Sequence, residues 1–188
     1  MLYYSYHLVK QMRIIEQEEA NAAYKGQLAS PGMNKNRDIY TQLLLPILTF
    51  EENIYQIHNL IYAEPLSKSN LKEAQSILQL KSFETPQIKK TFNNFADNIY
   101  YTDPDRANVY LGGGATPRNE QSIAYLLRND LITNIEALRA EVDFLLKEDD
   151  DISDLKTYSK NVRDGMIKYL ALVPPKELEK ARDSLRST

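Results

Sequence analysis

Between residues 123 and 145 the chain places Ile123, Leu127, Leu131, Ile135, Leu138, Val142 and Leu145 at steps of 4, 4, 4, 3, 4 and 3. A strand cannot gather such a set on one face, because its side chains alternate with period two. A helix with about 3.6 residues per turn can. A second stripe, Ile39, Leu43, Ile47, Phe50, Ile54, Ile57 and Ile61, runs at 4, 4, 3, 4, 3 and 4 and predicts a helix over about residues 36–63. Two helices of this length each carry an apolar face that must be covered. Pro46 lies inside the second stripe, where it removes one hydrogen bond and predicts a kink near Gln42.

The other segments read as helices too. Leu8, Met12 and Ile15 give a short stripe within residues 2–27, which predicts a docking arm closed by Gly26 and the Ser30-Pro31-Gly32 turn. A broken third helix starts at Asn70-Leu71-Lys72-Glu73, which has the form of a capping box, and carries Leu71, Ala74 and Leu78. Thr85-Pro86 restarts it as N-cap and first helical residue, followed by Ile88, Phe92, Phe95 and Ile99. Thr116-Pro117 opens the 123–145 helix with the same device. Glu148 to Asp151 end that helix and supply the N-cap of the next, which carries Ile152, Leu155, Val162, Met166 and Tyr169 and breaks at Pro174-Pro175. A short C-terminal turn then passes through Leu178 and Leu185. No alternating run bounded by hairpin turns occurs. The expectation is an all-α chain: an N-terminal helical arm and linker over residues 1–35, then an antiparallel four-helix bundle over residues 36–188. Leu127, Leu131, Leu138 and Val142 should share its core with Phe50, Ile54, Phe92, Phe95, Val162 and Met166.

Composition removes several kinds of chemistry. The 188 residues include no cysteine, which excludes disulfides, thiolate zinc sites, iron–sulfur clusters and thiol nucleophiles. The net charge of -3 is no footprint of a nucleic-acid binder, which normally carries a basic excess. No stretch approaches the about 20 apolar residues that span a bilayer, and Met1 to Tyr6 lack the pattern of a secretory signal. The Gly112-Gly113-Gly114 triplet is followed by Ala-Thr-Pro-Arg118, with neither the lysine nor the preceding strand of a phosphate loop. Glu148 to Asp151 lack the spacing of a calcium loop and read as a solvated turn. His58 has no second histidine at ligand spacing and reads as a hydrogen-bonding residue at the edge of the core. Nucleophile elbows, HExxH pairs and the Glu-x-x-His pairs of di-iron bundles are absent. The expectation is a chain that is not an enzyme, with no catalytic, cofactor-binding or metal-binding residues.

The unusual feature is 13 tyrosines without a tryptophan. Tyr100, Tyr101 and Tyr110 with Arg106 lie in a non-helical stretch over residues 100–115. Such a stretch is long for a connection within a compact domain. Tyrosine and arginine are the residue types enriched at the cores of protein interfaces. Tyr3, Tyr4 and Tyr6 repeat the pattern in the arm. These seven residues are the expected partner contacts; the alternative is that the loop tyrosines pack onto their own bundle.

The runs Phe95-Ala-Asp-Asn-Ile-Tyr-Tyr101 and Asp105-Arg-Ala-Asn-Val-Tyr-Leu-Gly-Gly-Gly114, with QSIAYLLRN over residues 121–129, resemble the PsbQ-like helical-bundle proteins of the thylakoid lumen. The resemblance covers about residues 36–185 and is structural, with no catalytic signature. It implies a non-catalytic extrinsic subunit of photosystem II in the chloroplast (plastid) thylakoid lumen. Such a subunit is peripheral to the membrane and stabilises the complex in support of oxygen evolution. Its partners would be membrane-embedded and other extrinsic photosystem II subunits. The alternative is a helical assembly or maintenance factor that binds immature complexes transiently. The long N-terminal arm departs from a simple match, as does the lack of a preceding bipartite plastid transit peptide, which a mature form would explain.

Overall fold

A computed structural model describes residues 36–98, 117–148 and 150–187. Among these it is all-helical: α1 (Asn36–Ile61), α2 (Lys68–Leu78), a 3-10 turn (Lys81–Phe83), α3 (Thr85–Ala96), α4 (Pro117–Leu145), α5 (Ser153–Leu170) and α6 (Pro175–Arg186). The expected arm over residues 2–27 lies outside the described residues.

Three helices share a seven-residue rhythm on the face they bury. In α1 it runs Tyr40, Leu44, Ile47, Glu51, Ile54, His58 and Ile61; in α4, Ala124, Arg128, Leu131, Ile135, Leu138, Val142 and Leu145; in α5, Leu155, Ser159, Val162, Met166 and Tyr169. All are buried except His58, which is half-buried. Strict steps of 4 and 3 are the pattern that keeps a seam facing its neighbour. The seam departs from the sequence reading at both N-terminal ends. Ile123, expected in the core, is 43% exposed, and Leu127 is half-buried against the core, while Ala124, Tyr125 and Arg128 take the inner face. In α1 the inner face likewise begins at Tyr40 and Leu44, and Leu43 is half-buried. Leu131, Leu138 and Val142 are buried, in one core with Phe50, Ile54, Phe92, Phe95, Val162 and Met166.

Side-chain pairs give the directions of packing. Asn134 meets Asn161 at 3.2 Å and Leu131 faces Gly165, so α4 and α5 run antiparallel. His58 meets Ser159 and Tyr62 meets the Lys156 carbonyl, so α1 and α5 do as well. The broken pair α2–α3 lies antiparallel along α4: Gln75 donates to Asp143 at 2.7 Å, Thr85 to Glu136 at 2.8 Å, and Tyr125 to Asp97. At the break, Arg139 of α4 donates to the carbonyls of Leu78 and Phe83 at 3.1 and 3.0 Å. Those contacts take up acceptors that the interrupted helix leaves open. α6 returns along α1 and is held there by Arg182, 3.0 Å from the buried Glu51 carboxylate.

Several helix ends differ from expectation, each for a local reason. The cap of α2 is Ser67, whose hydroxyl accepts the Asn70 N–H at 3.2 Å. Asn70 sits within the first turn, and its Nδ2 donates to the Leu60 carbonyl at 3.2 Å, binding the start of α2 to the end of α1. Glu84 rather than Thr85 bounds α3, and the Thr85 hydroxyl, inside the first turn, donates to Glu136 across to α4. Ile152 bounds α5, and Asp151 supports it from outside by accepting the Ser153 N–H at 3.3 Å. The C-terminal turn is a full helix of 12 residues: Pro175 sets its first turn, and the buried Ala181 lies between the half-buried Leu178 and Leu185. α1 continues through Pro46. The hydrogen bond lost there leaves the Gln42 carbonyl on an exposed side, where water can take it. Thr116 and Ile99 lie outside the described residues.

Gly165 is buried within α5, and a Cβ built there would lie 3.6 Å from Leu131 Cδ1, an ordinary contact. A mid-helix glycine costs roughly 0.5–1 kcal/mol relative to alanine. Gly165→Ala is therefore expected to stabilise the protein by about that amount, read as a raised denaturation midpoint. A lowered midpoint would mean that the α4–α5 approach has no room for the methyl group.

Candidate functional site

The seven expected contact residues, Tyr3, Tyr4, Tyr6, Tyr100, Tyr101, Arg106 and Tyr110, lie outside the described residues, so the structure neither gathers nor separates them. What it describes is the pair of helix ends that bracket residues 99–116. α3 finishes at Ala96, α4 begins at Pro117, and their facing turns carry a cluster of polar and aromatic side chains.

Arg128 is the centre of that cluster and is 0% exposed. Its Nη1 donates to Asn93 Oδ1 across the α3–α4 seam, and its Nη2 and Nε donate to Asn129 Oδ1 at 2.8 and 3.2 Å. The guanidinium also lies over the Tyr125 ring, 5.0 Å from its centroid. A buried cation needs such company, because an unpaired one would cost several kcal/mol. Two turns before Arg128, Gln121 donates to the Tyr125 hydroxyl at 3.2 Å and to Asp97 at 3.4 Å, while Tyr125 donates to the same carboxylate. Below the cluster, Tyr169 donates to the Phe92 carbonyl at 2.8 Å. Burial pushes the Tyr169 hydroxyl well above its ordinary pKa, and the positive charge of Arg128 opposes that shift. Tyr169 therefore remains a neutral donor. Around it the rings of Phe92, Phe95, Tyr40 and Phe50 stack at tilted or edge-on angles.

A second polar cluster lies between α1 and α5. His58 touches Ser159 and Arg163, each at 3.0 Å, and its ring stacks on Tyr62 at 4.3 Å. The half-buried, hydrogen-bonded histidine expected at this position is present. Ser159 is buried in the middle of a helix, where no substrate carbonyl could approach its hydroxyl.

Around the 148–151 turn, burial and then the charges of Asp154, Asp150 and Asp151 push the Glu141 carboxyl up. Asp151 is held low by the Ser153 hydroxyl. No group of three potential metal ligands forms among the described residues. No described helix is long and apolar enough to cross a membrane. Exposed apolar side chains include Tyr55 on α1, Tyr62 just past its end, Ile123 and Leu126 on α4, and Ile167 on α5. Tyr55 lines a shallow depression with Gln56, Asn59, Leu60 and Asn70.

The apolar stripe singles out neither Arg128 nor Tyr125, although for Arg128 the sequence carries a signal. The strict 4-3 rhythm read backwards from Leu145 through Leu131 lands on Arg128 and Ala124, whereas the reading through Leu127 and Ile123 needs three steps of 4 in a row. Comparison with protein families, curated proteins and solved structures finds no match.

Proposed function

We propose that the chain is a PsbQ-like, non-catalytic extrinsic subunit on the lumenal side of photosystem II, where it stabilises the complex and supports oxygen evolution. The fold in this reading is an antiparallel four-helix bundle whose members are α1, the broken pair α2–α3, α4 and α5, with α6 appended and residues 1–35 as an arm. The observation that carries the reading is the resemblance over residues 95–129. Those residues include the Asp97, Gln121, Tyr125 and Arg128 cluster that ties the two ends of the 99–116 segment to the core. Further support comes from how the polar side chains are used. Arg128, Arg139, Arg182 and His58 all hold helix to helix, as suits a rigid body that acts through its outer surface. The subunit is peripheral to the thylakoid membrane and packs on membrane-embedded and other extrinsic subunits through the tyrosines of the arm and the 99–116 segment.

Fractionation of plastid membranes at low salt tests the reading, with co-migration with photosystem II as the expected result. A protein that never co-migrates overturns it. One copy in every mature complex marks a resident subunit, whereas presence in immature complexes alone marks an assembly factor. Deleting residues 1–15 should leave thermal stability nearly unchanged and weaken attachment. Unfolding at much lower temperature would make the arm a member of the bundle, and full-strength attachment would place the contact surface elsewhere.

A further inference from the structure

Both ring nitrogens of His58 are committed across the α1–α5 seam: Nδ1 is 3.0 Å from Ser159 Oγ, and Nε2 is 3.0 Å from Arg163 Nη1. A guanidinium has only donors to offer, so Nε2 must accept. The single ring proton of the neutral imidazole then sits on Nδ1 and is donated to the Ser159 hydroxyl. Arg163 is itself sparingly satisfied: Nη2 reaches Asp164 at 3.3 Å, and Nε is buried without a hydrogen-bond partner. The bond to His58 is therefore one of the few that this guanidinium has.

We propose that His58, Ser159 and Arg163 form a proton-operated clasp between α1 and α5, closed while the imidazole is neutral and released when it takes a proton. Protonation places hydrogens on both ring nitrogens, so Nε2 can no longer accept, and two cations then face one another at hydrogen-bonding distance. Arg163 has somewhere to go, because the Asp164 carboxylate already lies beside its Nη2 on the same helix. Once it turns there, this crossing of the seam keeps Tyr62, whose hydroxyl donates to the Lys156 carbonyl at 3.2 Å.

The surrounding charges set the direction. From α5, Arg163 disfavours the imidazolium and Asp164 favours it; Lys160 is occupied with Asp164 at 3.7 Å, and Lys156 lies over the Tyr62 ring. From α6, Arg182 is held by Glu51, two turns before His58, and Arg186 by Asp183. From α2, Glu73 takes the Gln56 amide. Burial, and then Arg163, hold the His58 pKa below its ordinary value of 6.5, against the pull of Asp164. The unfolded chain thus binds the proton more readily than the folded one. The clasp's contribution is complete above pH 6.5 and declines as pH falls from there to the folded pKa.

Ring-nitrogen NMR of the full chain tests this without any substitution, the second histidine being His7. His58 should show the Nδ1–H tautomer at pH 8 and a titration midpoint below 6.5. Arg163→Met should move that midpoint upward. Across the same range, the thermal midpoint of the wild type should fall relative to that of His58→Asn. An Nε2–H tautomer, a midpoint at or above the ordinary value, no response to Arg163→Met, or parallel stability profiles for the wild type and His58→Asn would each overturn the clasp.

Discussion

Replacing Phe92 with alanine is expected to lower the free energy of unfolding by about 3–5 kcal/mol. The ring is 1% exposed and packs edge-on against two others, Phe50 at 5.5 Å and Tyr169 at 4.7 Å. It therefore joins α3 to α1 and α5 at once. Those neighbours belong to two different helices, neither of them α3, and cannot both close on one vacated volume, so the cavity term should persist. The backbone carbonyl of the same residue accepts the Tyr169 hydroxyl, and relaxation that narrows the cavity would strain that bond. Urea denaturation gives the measurement. A loss under about 1 kcal/mol would mean that the cluster repacks as a fluid, against the close packing usual for protein cores.

Leu131→Ala should cost about 2–5 kcal/mol. Leu131 is 1% exposed on the α4 seam, and its Cδ1 faces Gly165 of α5. The absence of a side chain on Gly165 leaves the leucine's methyl groups to fill the space between the two backbones. A loss below roughly 0.5 kcal/mol would show that the inner face of α4 has been assigned wrongly. The two sites also couple: with alanine at 165, its added methyl sits beside the gap left at 131, so the double variant should lose less than the two single effects predict when summed.

Helix type was legible in this chain because periodicity is a local property. Leu131, Leu138, Leu155, Val162 and Phe92 all lie where their spacing puts them. What stayed hidden depends on partners far away in the chain. Arg128 lies on the inner face because Asn93, 35 residues earlier, receives its Nη1, and a hydrophobicity-weighted reading prefers Leu127. The C-terminal helix was underestimated because Ala181 makes its central contact, and alanine gives a weak apolar signal. Ser67 and Asn70 are both good capping residues. Asn70 is drawn elsewhere by the Leu60 carbonyl, an attraction that exists only once α1 and α2 have met. His58 was legible as an edge residue, but not its partners Ser159 and Arg163, which lie about 100 residues on. The tyrosines that carry the partner hypothesis lie outside the described residues.

The seven-residue rhythm of α1, α4 and α5 has a hazard built into it. An ideally repetitive apolar surface is degenerate under translation: a helix slid by one heptad, about 10 Å at 1.5 Å per residue, finds nearly the same row of side chains waiting. Glu51 and His58 in α1, Arg128 in α4 and Ser159 in α5 interrupt that repetition. A slide of α4 would carry the Arg128 guanidinium away from Asn93 and into apolar surroundings, at a cost of several kcal/mol for a stranded ion. A slide of α6 would strand Glu51 in the same way. These polar interruptions make a single alignment the cheapest one, so the rows of leucine and isoleucine supply adhesion while a few charged and hydroxyl groups decide where it stops.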